Sequence, residues 1–138
     1  MEQEITTAEE SLLREIDGRR RYPVVCFELR SSQEPALRSV ALRNVHMETG
    51  RETMEEVKTR AALLQSLEEK GYIRLRYGLF VTVASDYAIY PASSLFAMLR
   101  ELVEEGKQRE GFLFDAAGIN RGRAELTEAG RAILIEKG

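Results

Sequence analysis

The sequence predicts an α+β fold with about five helices and two β-hairpins. Three observations carry that expectation. Apolar residues recur at helical spacing in segments that open on a Ser or Thr cap and close on a glycine. Runs rich in β-branched and aromatic residues lie between them, such as RYPVVCFEL (21–29) and YIRLRYGLFVTVASDYAIY (72–90). Apolar residues make up 43% of the 138 positions and charged residues 31%, enough for one core in a single domain without disulfide or metal staples.

The first helix is capped by Thr6 or Thr7, and Thr6 with Glu9 has capping-box spacing. Ala8, Leu12, Leu13 and Ile16 form its apolar stripe, and Gly18 stops it. RYPVVCFEL reads as a short strand that Pro23 would hold at a sheet edge, with a helix after Pro23 as the alternative. Pro35 suits the first turn of a helix running to about Val45. Thr53 and Glu56 repeat the capping-box spacing and open the longest helical pattern, with Met54, Val57, Ala61 and Leu64 as one stripe and Leu63 and Leu67 widening it. Gly71 ends that helix. Residues 72–90 read as two strands turning near Tyr77-Gly78. Ser93 or Ser94 caps a further helix with Leu95, Met98, Leu99 and Leu102 facing inward. GFLFDAAGINRGRAEL (111–126) reads as a second hairpin with a Gly/Asn turn, and Thr127 and Glu128 open the last helix. Two helix endings, LLQSLEEKG (63–71) and MLRELVEEG (98–106), echo each other 35 residues apart, a pattern that any two helices closed by glycine also produce.

Chemistry-bearing motifs are scarce. The single cysteine, Cys26, has no disulfide partner and sits in an apolar run, so it reads as a small buried hydrophobe. His46 is the only histidine and reads as a surface or loop residue, with no Cys, His or Asp cluster at metal spacing around it. No phosphate loop and no nucleophile–base arrangement is identifiable by spacing. A non-enzymatic protein without metal or cofactor is therefore expected. No apolar run is long enough for a membrane span, and the acidic start MEQEITTAEE lacks the apolar core of a signal peptide, so a cytoplasmic location is the default.

The segment TRAALLQSLEEKGYIRLRYG (59–78) resembles the recognition helix and wing of winged helix-turn-helix regulators of the MarR-like and PadR-like kind. The shared pattern L-x-x-L-E-x-x-G-x-I falls on Leu64, Leu67, Glu68, Gly71 and Ile73. A second pattern of such regulators, L-T-E-x-G-R, falls on Leu126, Thr127, Glu128, Gly130 and Arg131. The resemblance covers roughly residues 50–135. It implies a winged-helix domain in which residues 1–50, an N-terminal helix and an edge strand, pack on the winged part at 51–138. It also implies a transcription regulator that binds double-stranded DNA through the helix 53–70 and the hairpin 72–84, as a dimer joined through the helix 6–17 or 92–105.

Lys58, Thr59, Arg60 and Gln65 are the candidate DNA-facing residues of the helix, against an ordinary solvated face with a Glu56–Arg60 pair. Arg74 and Arg76 share a strand parity, opposite to Ile73 and Leu75, and suit phosphate contact from the wing. Arg121 and Arg123 flank Gly122 and are the remaining candidates. The RRR run at 19–21 follows a helix end, where the helix dipole favours positive charge. The net charge of −3 and the glutamates of the long helix favour a different class, a winged-helix protein-interaction module that binds no DNA. A small-molecule sensor with PVVCFEL and GFLFDAAG lining an apolar pocket is a third class, with no polar constellation behind it.

Overall fold

A computed structural model of the chain describes residues 4–138. The first three residues of the acidic N-terminal stretch lie outside them. The element order is α1 (Thr7–Asp17), β1 (Tyr22–Arg30), β2 (Arg38–Val45), α2 (Met54–Glu69), β3 (Ile73–Tyr77), α3 (Ala84–Tyr87), α4 (Ser94–Gly106), β4 (Ala116–Leu126) and α5 (Glu128–Lys137). The four strands form one antiparallel sheet in the order β2-β1-β4-β3. The fold is α+β, as the periodicities predict, with strands from residues 1–50 and 51–138 sharing one sheet.

Helices cover both faces. On one face Leu12, Leu13 and Ile16 of α1, Leu64 and Leu67 of α2, and Ile133 and Leu134 of α5 pack on Tyr22, Val24, Ile73 and Ala124. On the other, Leu95, Phe96 and Leu99 of α4 and Tyr87 of α3 pack on Val25 and Phe27. The alternation of β1 sorts these two sets, since its even positions face one layer and its odd positions the other. A strand buried on both sides carries a near-continuous apolar run, and PVVCF is that run.

The expected helix caps form. Thr6–Glu9 and Thr53–Glu56 are complete capping boxes, and Ser93 and Thr127 cap α4 and α5 with their side chains. Gly71 follows the cap of α2 with φ +83°, a conformation that costs glycine nothing.

Five expectations are corrected. Residues 38–45 form β2 and not a helix after Pro35. The strand propensity of SVALRNV is realised because β1 offers an edge for it, and that pairing is the true hairpin of the chain. β1 is an inner strand rather than an edge. Pro23 is accommodated there because β2 pairs with β1 only from Val25 onward. Residues 72–90 do not fold back on themselves. β3 stops at Tyr77, Gly78 turns the chain at φ +72°, and a loop leads to the short helix α3. β3 pairs instead with β4.

Residues 116–126 are one continuous strand and not a hairpin. The glycines that looked like a turn are sites of close approach. Gly118 lies under the Arg30 side chain, and Gly122 lies under Tyr77, where an added Cβ would fall 2.5 Å from the Tyr77 ring. In α4 the inward set is Leu95, Phe96, Leu99 and Val103, while Met98 and Leu102 face outward, 49% and 55% exposed. The helix is rotated relative to the expected stripe because the sheet beneath selects Phe96, which stacks edge-on against Phe27.

Candidate nucleic-acid interface

β3 and β4 bring the candidate arginines together. Their register sets Arg76 directly opposite Arg123 and Arg74 directly opposite Glu125. Arg121 has the same parity as Arg123, so all four arginines lie on one face of the sheet. A single carboxylate serves the centre of this group. Glu125 is 3.7 Å from Arg76 and 3.8 Å from Arg123, long ion pairs between partly exposed side chains that are worth little in water. Arg74 is exposed, and no ion pair or hydrogen bond of its side chain is present among the described residues. Arg121 is the exception to this open arrangement. Its guanidinium donates to Thr82 at 2.9 Å and lies 5.2 Å over the Tyr87 ring. That arrangement fastens the loop 78–83 to the sheet.

The arginines continue around the corner of the sheet. β4 runs two residues past the start of β1, because Tyr22 pairs with Ala124 and leaves Glu125 and Leu126 free on that side. Arg20 and Arg131 line the notch so formed, together with Arg123 and Asp17. Sequence reasoning passed over both. Arg20 belongs to the RRR run, in which Arg19 and Arg21 prove to be tied to carboxylates, Glu48 at 2.7 Å and Asp86 at 2.6 Å. These ion pairs hold Arg19 and Arg21, and Arg20 between them lines the notch. Arg131 is the last residue of the L-T-E-x-G-R pattern, so its position was legible and its surroundings were not.

The candidate residues of α2 are arranged differently. Lys58, Thr59 and Gln65 are exposed, but Thr59 donates to its own helix at Glu55 and Gln65 donates to Glu69. Arg60 turns inward. It donates to Glu15 of α1 and to the Tyr22 hydroxyl, and it is only partly exposed. Its partner is thus not Glu56 but a carboxylate of another helix. The exposed positions of α2 also include Glu55, Glu56, Glu68 and Glu69, so its outer face is acidic.

His46 is buried, 2% exposed, and not a surface histidine. Its two ring nitrogens face the Pro23 carbonyl at 2.7 Å and Glu48 at 2.6 Å, and the ring stacks on Tyr22 at 3.9 Å. Burial alone would raise the Glu48 carboxyl. The hydrogen bond from His46 and the nearby Arg19 outweigh it and hold that carboxyl below its usual range. Tyr22 in turn donates to Glu15, so one network joins the ends of β1 and β2 to α1 and α2. It is closed and structural. Cys26 is buried and free of disulfide. Among the described residues no group of three or more His, Cys, Asp or Glu is placed to hold a metal ion, and no helix is long and apolar enough to cross a membrane.

No protein-family model matches the chain, and neither does any curated protein or solved structure.

Proposed function

We propose that this chain is a cytoplasmic DNA-binding module of winged-helix type, with affinity led by phosphate contacts from the arginine face of β3 and β4. The observation that carries the reading is the direct opposition of Arg76 and Arg123. Like charges directly opposite on a sheet are destabilising, and one shared carboxylate at the edge of ion-pair range does little to relieve them. Arg74 beside them and Arg20 and Arg131 around the corner extend the charge. An anionic backbone supplies what this face lacks, because each bound phosphate releases condensed counterions from the duplex. In this reading β3 and the loop after it take the part of the wing and meet the duplex, while α2 packs on the opposite face of the sheet. The acidic outer face of α2 keeps base reading out of the main role, so binding is weakly sequence-dependent.

The experiment is fluorescence anisotropy with a labelled duplex over about 50 to about 200 mM salt. Binding that weakens linearly in log salt is the expected result. A duplex left unbound at the low-salt end overturns the reading.

The outer face of α4 favours a second reading, a protein-interaction module. Met98 and Leu102 are exposed there, and Leu113 in the following loop is 64% exposed. Light scattering of the purified protein tests whether a second copy covers them. A monomer at all concentrations removes self-association from this reading.

A further inference from the structure

Residues 78–83, GLFVTV, form a loop whose tip is apolar and bare. Phe80 is 102% exposed and Val81 88%. The loop is nonetheless held at both ends. Gly78 donates from its backbone to the Asn120 side chain at 2.9 Å, and the Leu79 amide reaches the Arg121 carbonyl at 3.4 Å. Arg121 grips Thr82 from the sheet. α3, which follows directly, is pinned by Tyr87 donating to the Gly122 carbonyl at 2.7 Å and by the Arg21–Asp86 ion pair. A fastened loop thus holds one aromatic ring out in solvent, four residues along the chain from Arg76 and so at most about 14 Å from it.

We propose that Phe80 is a base-stacking wedge. It lies against the face of a base exposed at an unpaired or kinked step of DNA while Arg74, Arg76 and Arg123 hold the flanking phosphates. This inference rests on the DNA-binding reading above and names the form of DNA that the same face prefers. The chemistry needs only one ring. Every base offers a π-face, so stacking is tolerant of sequence, which suits a site that lacks base-edge readers. Apolar side chains entering between base steps are an established way of holding deformed duplexes. An anionic lipid surface has matching charge, but one Phe and two Val, of which Val83 is only 42% exposed, bury too little area for stable anchoring there.

The test uses the absence of tryptophan from the chain. Phe80→Trp places one selectively excited fluorophore at the tip. Three titrants are compared: a duplex with one unpaired base, the fully paired duplex of equal length, and vesicles of anionic phospholipid. Quenching strongest with the unpaired-base duplex is expected. A blue shift on vesicles without quenching by DNA overturns the proposal in favour of a membrane contact. In anisotropy, the wild type binds the unpaired-base duplex roughly tenfold more tightly than the paired one, and Phe80→Ala removes that preference. The substitution leaves the fold untouched because the side chain is fully exposed, and an unchanged thermal midpoint documents this. A preference that survives Phe80→Ala, or that the wild type never shows, overturns the wedge and leaves the DNA reading standing. If neither duplex binds at low salt, the DNA reading fails first.

Discussion

Gly130 of α5 lies against the backbone of Tyr72, so close that a Cβ on the glycine would overlap the Tyr72 carbonyl oxygen. The surrounding hydrogen bonds draw the same two segments together. Thr127 donates from its backbone to that carbonyl at 3.1 Å and from its hydroxyl to the Gly71 carbonyl at 2.6 Å. Gly71 belongs to the first regulator-like pattern, and Thr127 and Gly130 belong to the second. The two patterns meet as one joint. Thr127 serves it twice, capping α5 and tying that helix to the end of α2. Part of what these two patterns encode is therefore packing rather than ligand recognition.

Gly130→Ala tests the joint. In an ordinary helix the change stabilises by about 1 kcal/mol. Here the obstacle is backbone, which cannot rotate away, so the expected outcome has the opposite sign: a net loss of roughly 1–3 kcal/mol. The denaturant midpoint with an unchanged slope reads it. A stabilised variant would show that α5 has room to shift.

Glu9 makes acid stability measurable at one residue. It is 2% exposed. Burial by itself would raise its carboxyl, but hydrogen bonds from Lys70, Ser66 and the Thr6 amide, with the charge of Lys70, outweigh burial and hold it at about 2. A carboxyl lowered in the folded state stabilises above its unfolded value of 4.5, and that stabilisation is lost as pH falls from there toward about 2. The contribution is about 3 kcal/mol. Glu9→Gln has no such group to titrate. Unfolding midpoints between these two pH values should fall less steeply for the variant than for the wild type. Parallel slopes would count against the Glu9–Lys70 linkage.

How far the sequence speaks depends on whether its signals are local. Thr6 and Thr53 cap helices through atoms three residues away, so capping-box spacing located them. Leu12, Leu13, Leu64 and Leu67 fall on their stripes because one helix face meets one sheet face. Most of the misreadings concern pairing at a distance. SVALRNV becomes a strand because β1 lies beside it, and Gly118 and Gly122 look like turn residues until Arg30 and Tyr77 are seen lying across them. The parity of Arg74 and Arg76 was readable along one strand. That they share a face with Arg123 needed the β3–β4 register, which no local pattern encodes. Arg60 shows the same limit, because its carboxylate partner Glu15 lies 45 positions away.

Leu67 tests the packing of α2 on the sheet. It is fully buried among residues of α1, α5 and β3. Leu67→Ala removes three heavy atoms from a site closed on several sides, and the expected cost is roughly 2–5 kcal/mol. Exposed Ala62, on the outer face of the same helix, gives the contrast: Ala62→Ser should cost under about 0.5 kcal/mol. Equal effects at the two positions would mean that the buried face of α2 has been assigned wrongly.

The arginine face gives the functional counterpart. Arg74 and Arg76 point from β3 away from the layer that buries Ile73 and half-buries Leu75, so the double change Arg74→Ala and Arg76→Ala leaves the core packing intact. It also ends the opposition of Arg76 to Arg123, which should leave stability unchanged or slightly raised. On the proposed reading the variant binds all duplexes more weakly by a similar factor. The slope of log K against log salt flattens by roughly 2, one for each phosphate that is no longer neutralised. Glu125→Gln acts in the other direction. It removes the only carboxylate within reach of Arg76 and Arg123 among the described residues, so binding should tighten at a given salt concentration. Anisotropy on two unrelated duplex sequences at several salt concentrations measures all of this. A double variant with an unchanged salt slope would place the phosphate-binding groups elsewhere. A Glu125→Gln variant that binds more weakly would mean that the carboxylate positions the arginines rather than competing for them.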